Sequence, residues 1–263
     1  MDDFHIHSTY SDGLDSINNL IQKAKDFTMF SITDHNNIEA SKKIREDNFI
    51  TGVELSTYFL KDEYHILGYN FDANNKDLNN MIKEYNYYNN EIFKTIYKKI
   101  ANNIKIDPDL IDILIKQDVT LNKVSITKII SKELNNKDFF EIYDRYVKSY
   151  CQNIKYYSIP IRDIIKNIKN ANGYLILAHP FISCKNMNPK TIVGKFLMHG
   201  GDGIEITPNY IDKSMEIIDY YDTIYSIGSD YHSNRFNRNN TIGIDTKYFD
   251  NDKRYLKNVI RRN

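Results

Sequence analysis

The stretch Phe4-His5-Ile6-His7-Ser8 places two histidines two residues apart inside an apolar run. Side chains alternate along a β-strand, so both imidazoles project from one face while Phe4 and Ile6 project from the other. Such a pair needs polar partners wherever it is buried. The partners recur along the chain at the ends of further apolar runs: Thr33-Asp34-His35, Gly52-Val53-Glu54, Tyr64-His65-Ile66, Ala178-His179-Pro180 and Asp230-Tyr231-His232. All of the histidines except His199 fall in these signatures. Short runs rich in Ile, Val, Tyr or Phe at 4–8, 30–33, 49–55, 64–69, 174–178, 203–207 and 224–228 read as seven strands. Helical patterns lie between several of them, at 16–27, 188–199 and 210–221, and another closes the chain at 252–262.

Strands alternating with helices predict a parallel sheet, and seven such units are enough to wrap into a barrel. The expected fold is therefore α/β, a distorted (β/α)7 TIM-like barrel, with the polar signatures on the rim formed by the strand C-termini. The alternation breaks between 72 and 172. There Ile82, Tyr85, Ile92, Phe93, Ile96, Tyr97 and Ile100 form one helical stripe, and Asp107-Pro108 offers an N-cap with a first-turn proline. Further helices are expected at about 125–134, 139–148 and 160–170. The domain reading is a barrel made of 1–71 and 173–263 with a helical insertion, 72–172, capping the rim.

Composition narrows the function classes. Lys plus Arg and Asp plus Glu are 35 each, so no net field draws the chain to long nucleic acid or an anionic membrane. No run approaches the roughly 20 apolar residues of a membrane span, and the first residues are neither a basic nor an apolar leader, which predicts a cytoplasmic protein. Cys151 and Cys184 are too few for a disulfide framework and are expected to be reduced thiols.

The chemistry rests on nine side chains: His5, His7, Asp12, His35, Glu54, His65, His179, Asp230 and His232. Asp12, in Ser11-Asp12-Gly13, can reach the rim from the first loop. Adjacent Asp34 and His35 cannot both point inward from a regular strand, so His35 is the ligand and Asp34 is expected to orient an imidazole. Glu54 lies in an otherwise apolar run, where a carboxylate must be paired, metal-bound or protonated, and it suits a bridge between two cations. Histidine and carboxylate without cysteine fit zinc, manganese or iron. Nine ligands exceed the needs of one ion, so two or three divalent ions are expected. Closely spaced ions generate a hydroxide at neutral pH and clamp both oxygens of a phosphoryl displacement.

These motifs, together with His65-Ile66-Leu67-Gly68-Tyr69, Gly203-Ile204-Glu205 and Gly228-Ser229-Asp230-Tyr231-His232, resemble those of the polymerase and histidinol phosphatase (PHP) family of metal-dependent phosphoesterases. The resemblance implies a distorted seven-stranded barrel and three ions. His5, His7, Glu54 and Asp230 would hold the first, Asp12, His35 and His232 the second, and Glu54, His65 and His179 the third. Glu54, Asp12, Asp230 and His232 are the expected catalytic positions. The chain looks most like the small stand-alone branch with a helical insertion, which implies hydrolysis of a phosphate monoester, a nucleoside monophosphate or 3′,5′-bisphosphate first, through a metal-bridging hydroxide. The alternatives are a histidinol-phosphate-type phosphatase, a 5′ exonuclease on short oligonucleotides, and, in another class, a catalytically inactive metal-binding regulatory module. That branch usually carries glycine and arginine after His-Pro and an arginine-proline-histidine segment in the insertion. Here Phe181-Ile182-Ser183-Cys184-Lys185 and Asn122-Lys123-Val124-Ser125-Ile126 stand in their place. Arg235, Arg238, Lys123 and Lys185 are the candidates for gripping substrate phosphate, with Arg235 first because it follows His232 within one loop.

Overall fold

The structure, a computed structural model, describes all of the 263 residues except 61, 137, 153, 185, 234–240 and 263. Lys185, Arg235 and Arg238 therefore lie outside the described residues. Seven strands form in chain order: β1 (Asp2–Asp3), β2 (Met29–Phe30), β3 (Gly52–Phe59), β4 (Asp62–Tyr69), β5 (Tyr174–Leu177), β6 (Gly203–Ile206) and β7 (Ile224–Ile227). Among the described residues the regular ladders make a parallel pair, β1–β2, and a five-stranded sheet in the order β3-β4-β5-β6-β7. The fold is mixed α/β.

The all-parallel expectation is corrected at β4, which runs antiparallel to both of its neighbours. Only residues 60 and 61 separate it from β3, and a parallel return needs a crossover of a dozen residues or more. Leu60 instead turns the chain with a φ of 51°. The first strand, expected at 4–8, is corrected to Asp2–Asp3; after it the chain bends at Phe4 and keeps one isolated bridge, Ile6 to Tyr231. It is held there by single backbone bonds, Phe4 N–H to Ile227 O at 3.0 Å, His7 N–H to Tyr231 O at 2.8 Å and Thr33 N–H to Ile6 O at 2.8 Å. After β2, Asn36 N–H donates to Glu54 O at 2.7 Å. Backbone bonds thus connect the small sheet to both β3 and β7.

The two histidines share a face as expected, with Ile6 on the other; Phe4 turns instead into the main core against Tyr69 and Tyr255. Ile6 is buried with Leu20, Phe30 and Ile32 on one side, while His5 and His7 are fully buried on the other. The main core lies between the five-stranded sheet and its helices, around Leu55, Ile66, Leu67, Ile176 and Ile204. Helices Ile17–Lys23, Pro189–Met198 and Ile211–Tyr221 occupy the positions their periodicity predicts; Ser16 and Asn188 cap the first two by accepting backbone N–H bonds. A second buried network joins the two ends of the chain. Asp2 Oδ2 accepts from Thr246 Oγ1 at 2.7 Å, Lys257 Nζ at 2.8 Å and Tyr255 OH at 3.0 Å.

Between β4 and β5 the chain is helical. Helix Lys76–Ile104 buries Ile82, Phe93, Ile96, Tyr97 and Ile100, and a separate apolar cluster joins that face to Ile126, Ile130 and Val147. The Asp107-Pro108 reading is corrected by two residues. Helix Leu110–Lys116 starts later, because Asp107 Oδ1 accepts from Asp109 N–H and closes a turn first. Helix Lys123–Glu133 begins in a reciprocal capping box between Asn122 and Ser125. The expected helix at 139–148 is instead Phe139–Ile142, a π-helical turn Tyr143–Val147, and Lys148–Cys151. This helical segment meets the loops after the first two strands through polar bonds. Thr120 N–H donates to Tyr10 O, Lys128 Nζ to Gly13 O, and the Asn37 amide to Asp118 O at 2.7 Å and Tyr10 O at 3.3 Å.

Asn37 is buried, so truncating it removes the side-chain donor to Asp118 O and leaves Tyr10 O with Thr120 N–H. We expect Asn37→Leu to lower the unfolding free energy by about 1–3 kcal/mol in denaturant titration. An unchanged midpoint and slope would show that this junction contributes no stability.

Candidate metal centre

The nine candidate ligands come from six chain segments and meet in one cluster. His5 and His7 lie deepest, with their Nε2 atoms 3.0 Å apart. Glu54, buried on β3, is surrounded by imidazoles. Its Oε2 lies 3.1 Å from His35 Nδ1, 3.2 Å from His7 Nε2 and 3.3 Å from His5 Nε2. Its Oε1 lies 2.9 Å from His65 Nδ1 and 3.1 Å from His179 Nε2. Asp230 Oδ1 is 3.4 Å from both His5 Nε2 and His7 Nε2. On the outer side, Asp12 sits 3.1 Å from His232 Nε2 and 3.8 Å from His35 Nε2.

Several segments reach this point through unusual backbone. Asn36, His179 and Asp230 have φ values of 49°, 29° and 55°. Non-glycine residues in that region cost on the order of 1–3 kcal/mol each and collect at functional sites. Here the twist turns the residues at the strand ends into the cluster. Gly13 and Gly228 allow close approach. A Cβ on Gly13 would overlap the His7 carbonyl, and one on Gly228 would strike His5 and Glu205.

The far nitrogens of the rings are pinned. His5 Nδ1 meets Glu205 Oε1 at 2.8 Å, His179 Nδ1 meets Ser183 Oγ at 2.7 Å, and His232 Nδ1 meets the Asp230 carbonyl at 2.8 Å. The carboxylate and the carbonyl only accept, so they place the proton on Nδ1 and turn the Nε2 lone pair inward. That is how metal-binding histidines are oriented. Two buried atoms of the cluster, Glu54 Oε2 and His65 Nδ1, have no hydrogen-bond partner among the described residues despite these short distances. Nitrogen and oxygen donors crowded this closely could hold divalent cations. Three groups of them lie within 4.8 Å of one another: His5, His7 and Glu54; His7, Asp12, His35 and His232; and His35, Glu54 and His65. Glu54, His7 and His35 are each shared between two groups, a denser sharing than the allocation expected from the sequence.

Burial by itself would raise the carboxyl pKa values of Glu54, Asp12 and Asp230. The facing imidazoles outweigh it and hold all three below the usual carboxylate range. Burial lowers the affinity of His7 and His65 for a proton, yet the acids around them push both up to about 10. At His35 burial wins, and the ring is pulled down to about 4.

Sequence reasoning missed a supporting layer. Glu205 is fully buried and holds two ligands at once, His5 through its ring and His179 through its backbone N–H at 2.8 Å. Its signal was the one that marked Glu54, a carboxylate within an apolar strand. Asp3, whose carboxyl burial pushes up to about 6, accepts from the N–H and hydroxyl of Ser229, next to Asp230. Asp34 accepts from Ser8 and from Ser11 Oγ at 2.6 Å, and Ser11 Oγ in turn lies 3.4 Å from His7 Nδ1, so the imidazole that Asp34 supports is that of His7. Neighbouring positions on an extended chain point opposite ways, so the acid beside His35 serves His7 instead. Both cysteines are free thiols; Cys184 faces Tyr64, and burial pushes its thiol up to about 11.

Seven of the nine residues line the floor of a cavity of about 570 Å³, with His5 and His7 beneath it. Lys123 stands at its wall beside Phe139, Phe140, Tyr143 and Ile182. No helix among the described residues is long and apolar enough to cross a membrane.

Comparison with known proteins agrees with this geometry. A family model described as "PHP domain" matches residues 3–157. A protein of Haemophilus influenzae named 5′-3′ exoribonuclease is 28% identical over 248 residues, covering 88% of this chain and 89% of that one. An Escherichia coli protein of the same description is 24% identical over 250 residues, covering 88% and 84%. A solved structure from Bifidobacterium adolescentis, described as a candidate metal-dependent phosphoesterase, superposes with a TM-score of 0.75 at 19% identity, over 92% of this chain and 90% of that one. An amidohydrolase structure from Chromobacterium violaceum superposes with a TM-score of 0.72 at 20% identity, over 88% and 87%.

Two outcomes are expected of the cluster. Because His7 and His65 retain protons up to about 10 against an ordinary 6.5, a divalent cation must displace protons at neutral pH. Manganese or zinc affinity should therefore rise with pH between 6.5 and 10, with proton release visible as buffer-dependent heat in calorimetry; heats identical across buffers would contradict it. Replacing Glu205 by Gln should weaken metal binding or activity about 10–100-fold, the usual effect of losing a partner that orients a ligand. Wild-type affinity together with wild-type turnover in that variant would assign Glu205 to packing alone.

Proposed function

Because the chain belongs to the PHP domain family and is a hydrolase acting on phosphoester bonds, we propose that it removes nucleotides from the 5′ end of short RNA at the Glu54-centred cluster. The observation that carries this reading is the convergence of imidazole and carboxylate donors around Glu54, whose Oε2 lacks a hydrogen-bond partner among the described residues, on the floor of a cleft walled by aromatic rings and Lys123. The names of the bacterial relatives favour the exonuclease among the activities anticipated from the sequence. Hydrolysis of a nucleoside monophosphate or 3′,5′-bisphosphate is the second reading, supported by the same cleft, which is large enough for one nucleotide.

In this proposal two or three divalent ions, manganese, zinc or iron, are held by His5, His7, Glu54 and Asp230, by Asp12, His35 and His232, and by Glu54, His65 and His179. When bound, such ions neutralise phosphoryl charge and supply an activated water-derived nucleophile. The chain's own residues do the remaining work. Glu205, Ser183 and Asp34 orient the donors, Asp3 holds the loop carrying Asp230, and Lys123 draws a phosphate oxygen to the mouth of the site. Residues 72–172 act as a cap, and the segments after β1 and β2 complete a distorted seven-stranded barrel around the cluster.

The test is turnover of 5′-labelled RNA of two to six nucleotides, alongside nucleoside monophosphates and 3′,5′-bisphosphates, by manganese-loaded protein. Progressive release of mononucleotides from the 5′ end is expected. Glu54→Ala and Asp230→Ala should each lose at least about a hundredfold in kcat, since a metal centre supplies several kcal/mol of transition-state stabilisation. Undiminished turnover in both variants, or hydrolysis confined to the mononucleotides, would reject the proposal.

A further inference from the structure

The cluster opens into two adjoining lobes, and cleavage at a single phosphate accounts for only their junction. The larger lobe lies over Glu54, His179 and Asp230 and runs out between Phe139, Phe140 and Ile182. The smaller, about 320 Å³, runs past Glu63 to a wall that includes Tyr58, Tyr85, Tyr156 and Tyr157. Both lobes are lined by Asp12, His35, His65, Lys123, Val124 and Tyr143, so candidate ligands lie at the partition. Lys123 is the one lysine or arginine among the described residues lining either lobe. Each lobe alone falls within the roughly 300–1,000 Å³ of ordinary small-molecule pockets. A mononucleotide filling one would leave the aromatic wall of the other unused.

The chemistry of the two walls differs. The smaller lobe is a tyrosine wall with Glu63 at its entrance, 3.9 Å from His65 Nε2. Its rings suit the face of a base of any identity. The larger lobe ends at exposed Phe140 and Ile182, which leaves a path to solvent. Taking the site as a 5′-end exonuclease, we infer that the smaller lobe seats the base of the 5′-terminal nucleotide while the following nucleotide lies in the larger lobe, with the scissile phosphate between them beside Lys123. The 3′ remainder of the chain leaves through the larger lobe. Two nucleotides are then the shortest substrate that uses the whole cleft, and the base in the smaller lobe is held by stacking and not by its hydrogen-bonding edge.

The experiment compares a diribonucleotide with its analogue lacking the 5′-side base, using manganese-loaded wild-type protein and the Tyr58→Ala and Tyr157→Ala variants. Tyr58 is 54% exposed, so its removal takes nothing from the core. With wild type, deleting the base should raise KM about ten- to a hundredfold, the loss of one stacked base, with kcat largely retained. In at least one variant KM for the intact dinucleotide should rise while KM for the abasic one stays put, the signature of a direct ring–base coupling. Equal KM for both dinucleotides on wild type, or equal losses on both in each variant, would overturn the lobe assignment and leave the exonuclease reading standing. No hydrolysis of the intact dinucleotide, with a nucleoside monoester still turned over, would overturn both.

Discussion

The structure is organised around a buried carboxylate. Glu54 is removed from water, which for an isolated charge would be prohibitive. Five imidazole nitrogens within 3.3 Å make it tolerable, and they arrive from segments spread between residues 5 and 179. An acid that needs so many partners dictates where each strand must end and how its last residue must turn. The positive φ angles at His179 and Asp230 are the local cost of that arrangement. The same crowding draws in the outer acids Glu205, Asp34 and Asp3, which hold the rings and loops in place. Apolar packing supports this from the other side, since Ile6 alternates with the two first histidines and anchors their segment.

The helical segment between β4 and β5 is tied to the same point by different means. It has an apolar cluster of its own, and it bonds to the rim through polar groups that include Asn37, Thr120, Lys128 and Asn86. The two ends of the segment also join the main core, through Leu78, Ile82, Ile159, Ile164 and Ile168, so the polar bonds at the rim fix the register of a segment already anchored by packing. It also places aromatic rings from helices Lys76–Ile104 and Phe139–Ile142 around the mouth of the cleft. The π-helical turn at Tyr143–Val147 lies in this region, and Tyr143 lines both lobes. A local break in helical geometry is a common way to aim a side chain that a regular helix would misplace.

What the sequence revealed follows from the range of the forces involved. Helices at 188–199 and 210–221 were legible because capping and amphipathic periodicity are local. The nine polar residues were legible because imidazoles and acids at the ends of apolar runs have few structural uses. The direction of β4 was misread because alternation of apolar runs does not encode strand polarity; the two-residue link between β3 and β4 did, and it fell inside a span first divided differently. The route of Asp34 to His7 was hidden for the same reason, since it depends on Ser11, which no periodicity marks. Glu205 was quoted as part of a motif without a role, although its setting in Gly203-Ile204-Glu205-Ile206 matches that of Glu54.

The network around Asp2 carries a consequence for synthesis. Thr246, Tyr255 and Lys257 fasten Asp2 in β1, just ahead of His5 and His7, and Asp230 and His232 complete the cluster from the same late part of the chain. Contacts of such sequence separation form slowly and only once both partners exist. On the ribosome, then, the first two imidazoles to emerge wait for residues 230–257 before they are fastened in place.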